Sequence, residues 1–527
     1  MTSGFTTRRW VMTVALGALM VLAMAAPGSA QHRARLSKDV ADELAAPSHA
    51  TMQVIVESGA QAQQLATRYG LRVKKHIDGA TVLEGTTGQI NALASDPDVD
   101  QVSGDAKVNA HGDKGDKGDK GKGAATSNLA QSVGADAAWD GFGGVDAITG
   151  KDIVVALIDS GIDSRHKALR NRVIGAVDFT GTGTADLFGH GTHLANLIAG
   201  GNLVPDGSGQ VYGGVAPGAR LISLKVLAAD GSGDTSDVID ALNWAVKNRS
   251  KYGIRVVAMA LGHPVFESYT TDPLCKAVQN AINAGLIVVT SAGNYGKVTI
   301  DGQETIVFGG ISSPGNLPAA ITVGALNTRG SLNYKDWNVA TYSSRGPSQI
   351  DLVTKPDLVA PGNKIMSADV VGSTIDVQSR QMGLAWTVSG ENEPYLAMSG
   401  ASVSTAVVAG AAALVLDANP SLRQEQVKLA LQMSATWMPD GYFAGGSGAL
   451  NAAGAVWMAV NGPSPKVPAL ELGGADLTGS GVIFWNAGDL KTVIDGNRII
   501  WGDRIIWGDR IIWGDRIIWG DRIIWGD

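Results

Sequence analysis

Residues 127–460 predict an α/β fold built on a mostly parallel sheet with helices on both faces. Short β-branched runs at 153–158, 221–226, 256–261, 287–290 and 320–323 alternate with helical patterns such as 235–248. The runs are continuously apolar rather than alternating, which requires both faces of the sheet to be covered. Most are followed by Gly, Asp or Asn, and in such sheets sites form outside the carboxyl ends of the strands. Asp159 and Asn294 both fall there.

Residues 1–30 read as an export signal: Arg8-Arg9, an uncharged stretch from Trp10 to Ala26, and Gly28-Ser29-Ala30 before Gln31. An uncleaved anchor is the rival, disfavoured because the apolar run is a little short for a membrane span. Thr7-Arg8-Arg9-Trp10 fits either twin-arginine export or an ordinary positive leader. Residues 49–109 are a small α+β domain: strand 52–57, helix 61–69, strands 73–76 and 80–84, helix 87–94 and strand 99–103. That βαββαβ order is ferredoxin-like.

Residues 110–126 form a linker in which Gly-Asp-Lys occurs three times. Lacking Pro and too short for a triple helix, it reads as solvated spacer. Beyond the central domain, 461–497 is read as a second linker. Residues 498–527 are five copies of Arg-Ile-Ile-Trp-Gly-Asp, each a four-residue strand and a Gly-Asp turn. Such units stack into a solenoid or a meander, or pair with other chains. Cell-surface retention or self-association is one reading of them, and a disordered or removable tail is the other.

A net charge of -7, a pI near 5.6 and no large basic block argue against nucleic acid as the main partner. The single cysteine, Cys275, excludes an intramolecular disulfide, so a secreted form would rely on core packing or bound ions. It falls in an amphipathic helical pattern near 272–283 and reads as a packing residue.

Three separated segments carry chemistry: Ile158-Asp159-Ser160-Gly161, Gly189-His190-Gly191-Thr192-His193 and Ser399-Gly400-Ala401-Ser402. A Ser hydroxyl is a poor nucleophile until a positioned imidazole takes its proton and a carboxylate fixes the imidazole's tautomer. Asp159 ends a buried strand, where a carboxylate is costly unless paired, and His190 is the natural partner. Ser402 begins the small-residue run 403–416, placing it at a helix N-terminus that favours developing negative charge.

Further stretches extend the pattern: Gly214-Val215-Ala216-Pro217-Gly218, Ser291-Ala292-Gly293-Asn294, Lys355-Pro356-Asp357 with Ala360-Pro361-Gly362, and Asn419-Pro420-Ser421-Leu422. With these the chain resembles the subtilisin-like serine proteases. The resemblance implies Asp159, His190 and Ser402 as the catalytic residues and Asn294 as the oxyanion donor, with His193 structural. It implies that Gly231-Ser232-Gly233 and Ala260-Leu261-Gly262 form two backbone edges flanking an extended protein or peptide substrate, with Ser312 lining the pocket. The 49–109 domain resembles the inhibitory propeptide that precedes many secreted proteases, making it the chain's own intramolecular inhibitor.

The resemblance implies no cofactor for catalysis. Metal ligands stay unassigned: structural calcium is compatible, but Ala168 stands where some relatives have a calcium-binding Asp, and Asp230 to Asp234 lack the full alternating-ligand pattern. Around the nucleophile, Ala401, Val403, Ser404, Ala406 and Val407 replace the family's usual Thr, Met, Ala, Pro and His, and Asn196 replaces a Gly. Residues 369–394 look inserted. The expectation is a secreted or cell-surface serine endopeptidase made as a self-processed zymogen. The alternative, a catalytically weak scaffold with the repeats as its working end, is disfavoured by the complete triad.

Overall fold

The computed structural model describes residues 32–46, 50–57, 61–111, 128–201, 212–300, 302–381, 385–387, 394–464, 467–485, 504–507 and 510–513. The export signal, the Gly-Asp-Lys repeat and most of the C-terminal repeats lie outside the described residues.

Five strands build the N-terminal sheet: β1 (Arg35–Leu36), β2 (Thr51–Val56), β3 (Arg72–Ile77), β4 (Ala80–Thr86) and β5 (Gln101–Gly104), in the order β1-β5-β2-β4-β3. Within it β5, β2, β4 and β3 are antiparallel neighbours connected through helices Ala62–Tyr69 and Thr87–Leu93, the expected split order. The second helix starts in a capping box between Thr86 and Gln89. Val54, Val56 and Leu83 pack with Leu65, Ile90 and Leu93 on one face. Ile55, Ile77 and Val82 point to the other face and join the core of the large domain. The second half of β2, Val54-Ile55-Val56, reads as an apolar run because both of its faces are buried there.

The unit starts earlier than residue 49. Strand β1 pairs in parallel with β5, and helix Lys38–Ala45 buries Val40 against the same core. The charges around this helix conceal its single apolar stripe. At the other end the fold runs past 109: β6 (Lys107–Ala110) leaves the small sheet and enters the large domain.

The large domain carries β7 (Val154–Asp159), β8 (Val173–Asp178), β9 (Arg220–Lys225), β10 (Ser232–Asp234), β11 (Ile254–Met259), β12 (Leu261–Gly262), β13 (Ile287–Ser291), the hairpin β14 (Lys297–Ile300) and β15 (Gln303–Ile306), β16 (Ile321–Asn327), β17 (Asn338–Val339) and β18 (Leu358–Pro361). Its main sheet runs β17-β16-β13-β11-β7-β9-β8, with β18 also on β16. Every pairing is parallel except that of β17. Alternate residues of β7 serve opposite faces: Val155 and Leu157 enter one core, Val154, Ala156 and Ile158 the other.

From β7 the chain goes first to β8 and β9 on one side and then to β11 on the other, so a topological switch point lies at the carboxyl end of β7, beside Asp159. Helix Ala401–Ala418 runs through the first core with every residue from Ala401 to Leu416 buried, against β11, β13, β16, β18 and helix His190–Ala199. Helices Thr235–Tyr252 and Pro273–Asn283 cover the second face. Cys275 is buried there as a packing residue, and burial pushes its thiol well above the ordinary range.

The 461–497 segment is not a plain linker. Hairpin Leu470–Leu472 and Ala475–Leu477 packs Leu472 and Leu477 onto Leu326, Trp337 and Val359, an anchoring that its Gly-rich, polar surroundings hide. Strand Val482–Trp485 then pairs antiparallel with Arg504–Trp507, which pairs antiparallel with Arg510–Trp513. Those two repeats lie in a meander, not a solenoid.

Candidate active site

Three elements bring the predicted triad together. Asp159 closes β7, His190 opens helix His190–Ala199, and Ser402 stands in the first turn of helix Ala401–Ala418. His190 Nδ1 lies 2.8 and 3.0 Å from the two Asp159 carboxylate oxygens, and Nε2 lies 3.0 Å from Ser402 Oγ. All three residues are buried. This is the arrangement in which a carboxylate orients an imidazole against a hydroxyl.

The Gly-His-Gly pattern has a steric origin. Gly189 holds φ at +95°, a left-handed conformation that suits glycine, immediately before the helix. A Cβ on Gly191 would lie 2.1 Å from the Gly161 carbonyl oxygen, so only glycine lets the helix abut the loop after Asp159. His193 lies one turn further along the same helix and is buried. Its Nε2 lies 3.2 and 3.1 Å from the carbonyl oxygens of Ile365 and Leu396, and burial, with His190 nearby, lowers its pKa to about 3.

Sequence reasoning missed Asp186. Its carboxylate accepts from Gly189 N at 2.7 Å, Thr192 N at 2.8 Å, Thr192 Oγ1 at 2.6 Å and Ser160 Oγ at 2.8 Å. Ser160 Oγ in turn accepts from Gly191 N at 2.9 Å. Asp186 therefore satisfies orphan donors at the start of the His190 helix and ties that helix to the residue following Asp159. Burial raises its carboxyl above the usual range, against the pull of these donors. The available signal was an Asp placed before a Gly and a Thr at helix-start spacing.

Asn294 follows β13, and its amide is oriented by Ala401 N–H, which donates to Oδ1 at 2.9 Å. Asn294 Nδ2 then donates to the carbonyl oxygen of His111. Ser402 Oγ is 2.9 Å and Ser402 N 3.5 Å from that oxygen. The predicted edges hold the segment that leads to His111. Val108 pairs with Gly233 and Asn109 with Ser232 on β10, while Ala110 pairs with Leu261 and Asn109 with Gly262 on β12. Ala110 N–H donates to Gly231 O, and His111 N–H to Ala260 O, both at 3.1 Å. Strand β6 is thus the middle of a three-stranded antiparallel sheet.

A Cβ on Gly262 would meet His111 Cε1 at 2.9 Å and Ser312 Oγ at 3.3 Å, which places Ser312 beside the space that His111 fills. Tyr295 meets the His111 ring edge-on, with centroids 6.1 Å apart. A cavity of about 390 Å³ between Ile162, Asp186, Leu187 and Val371 is walled partly by residues 370–373. The next residues also brace the loop before His190: Thr374 N–H donates to Leu187 O and Ile375 N–H to Phe188 O. The residues that depart from the usual pattern find local partners. Ser404 Oγ donates to Ala360 O at 2.8 Å, Asn196 Nδ2 donates to Ser367 Oγ at 2.9 Å, and Val403 and Val407 are core residues.

Comparison with known proteins adds the following. The Subtilase family model matches residues 150–456. The chain is 37% identical over 317 residues to serine protease AprX of Bacillus subtilis (strain 168), covering 59% of this chain and 67% of that protein. It is 34% identical over 300 residues to subtilisin E of the same organism, covering 56% and 64%. Among solved structures it is similar in fold to fervidolysin from Fervidobacterium pennivorans, a keratinolytic enzyme related to subtilisin. That likeness has a TM-score of 0.59 at 20% identity over 84% of this chain and 64% of the other. The chain thus spans about two thirds of the length of these relatives.

Proposed function

The chain belongs to the subtilase family, and on that premise we propose that it is a secreted serine endopeptidase made as an inactive precursor that processes itself. One observation carries the reading: an extended segment of the chain lies between two backbone edges with the His111 carbonyl oxygen 2.9 Å from a serine already in line with His190 and Asp159. Recognition through main-chain pairing suits many protein sequences, with side-chain pockets supplying preference.

In this reading Ser402 Oγ attacks the carbonyl carbon as its proton passes to His190 Nε2, while Asp159 holds the ring at Nδ1 and stabilises the imidazolium. Asn294 Nδ2 and Ser402 N–H take up the charge that develops on the carbonyl oxygen. His190 then returns its proton to the leaving amine, and water completes the cycle by hydrolysing the acyl-enzyme. The chemistry draws on no cofactor. Residues 32–111 act as inhibitor because β6 fills the cleft a substrate would use.

The test is self-maturation. Purified precursor should shorten and then hydrolyse an unfolded protein in a manner blocked by a serine-directed sulfonyl fluoride, while Ser402→Ala stays full length and inactive. Identical behaviour of the two forms would refute the reading.

A further inference from the structure

Resting on that reading, we infer that the bond this chain cuts in itself is His111–Gly112, and that its pocket for the residue before the scissile bond accepts an imidazole. The register of β6 fixes the position. Val108 is fully buried in the apolar cluster with Val226, Leu227 and Leu261, whereas Lys107 is exposed and ion-paired with Asp234. A slip of one residue would drive Lys107 or Asn109 into that cluster, so the alternation of the strand excludes it, and the bonds held by Asp105 and Ala106 oppose a slip of two.

The N-terminal domain leaves little slack behind it. Strand β5 ends at Gly104, Asp105 accepts from Ser236 N and Oγ at 2.8 Å each, and Ala106 O accepts from Thr235 N at 3.0 Å. Counting forward from these anchors, the carbonyl beside Ser402 Oγ belongs to His111 and to no neighbour. The His111 side chain occupies space that exists because residue 262 has no Cβ, next to Ser312 and the edge of Tyr295.

The step balances as a hydrolysis. Ser402 Oγ bonds to the His111 carbonyl carbon, the bond to the Gly112 nitrogen breaks, and the Ser402 proton travels through His190 to that nitrogen. Water then cleaves the ester, leaving His111 as a new carboxyl terminus and restoring the hydroxyl of Ser402. The Gly-Asp-Lys repeat stays with the catalytic part as its new amino end.

The experiment is terminal analysis of both products from freshly processed full-length protein. A released piece ending at His111, and a catalytic piece first appearing with Gly112-Asp113-Lys114 at its terminus, support the inference. A released piece ending anywhere else overturns it while leaving the protease reading intact. Appearance of the His111 terminus in Ser402→Ala as well would assign the cut to another enzyme and overturn it too. A wild-type chain that neither shortens nor hydrolyses unfolded protein would sink the parent reading and this inference with it. His111→Pro removes the N–H that donates to Ala260 O and should slow release of the piece by roughly tenfold or more. An unchanged rate would count against the assignment. A peptide ending Val-Asn-Ala-His before a chromogenic amide should be hydrolysed by the mature form, and failure to cleave it would refute the pocket assignment.

Discussion

Replacing Asp186 by Ala tests how the catalytic imidazole is held in place. The wild-type carboxylate is buried and accepts four hydrogen bonds, two of them from backbone N–H groups that the helix cannot satisfy itself. Each buried donor left without an acceptor costs about 1–3 kcal/mol. Against this, burial already holds the carboxyl above its usual pKa, so the native charge carries a desolvation cost that Ala removes. The net loss should therefore be about 2–4 kcal/mol, well short of the sum. For a domain of this size that corresponds to a fall in Tm of roughly 3–6 °C.

If about half of the loss is felt as disorder of His190 relative to Ser402, kcat should fall about 5- to 30-fold. KM should hardly move, because the peptide is gripped by β10 and β12 on the other side of the cleft. The assay is kcat and KM on a chromogenic peptide, with a thermal melt. Asp186→Asn keeps one acceptor oxygen and should recover part of both. An Ala variant with native kcat and native Tm, or with KM raised at unchanged kcat, would show that Asp186 does not position the imidazole.

Asn294→Ala should lower kcat by about 100- to 1,000-fold with little change in KM, since it removes a donor whose value is realised as charge develops on the oxygen; steady-state kinetics decide it. Gly262→Ala would place a Cβ 2.3 Å from Ser313 O and 2.9 Å from His111 Cε1. It should cut kcat/KM by roughly tenfold or more for peptides with a large residue before the scissile bond, and an equal response of small and large residues would refute the steric account. Inhibition by the released piece should depend on pH. Burial raises Asp105 to about 6, with Asp234 adding to the shift and Ser236 and Lys75 opposing it. Burial likewise raises Glu267 to about 7, with Asp272 and Asp39 adding and Ser103 and Thr271 opposing. Both groups sit between the two domains, so docking takes up protons: the contribution is complete at acid pH and is lost as pH rises through these values. The inhibition constant should rise roughly tenfold or more between about pH 5 and about pH 8, and a flat profile would count against it.

The large domain was legible because its strands are continuous β-branched runs, and because Asp159, His190, Asn294 and Ser402 each sit at an element boundary marked by small residues. Asp186 was not, since an isolated Asp in a Gly- and Thr-rich loop looks the same whether or not a helix start later folds onto it. Strand β6 escaped for a related reason. Lys-Val-Asn-Ala is too short to declare itself, and its pairing partners are more than a hundred residues away in the chain. The hairpin at 470–477 and the helix at 38–45 owe their order to distant cores, so local composition misreported both.

Helix Ala401–Ala418 sets a limit on how this protein can change over time. The same rod that presents Ser402 fills the middle of the larger core, so a sequence change along it alters folding and turnover in one stroke, and selection cannot trade one against the other there. Novelty in substrate choice has to accumulate at the rim, in segments such as 370–375, while the rod accepts only residues that fit the same volume. Val403, Ser404 and Val407 fit that volume: the serine bonds a carbonyl and the valines lie against apolar walls.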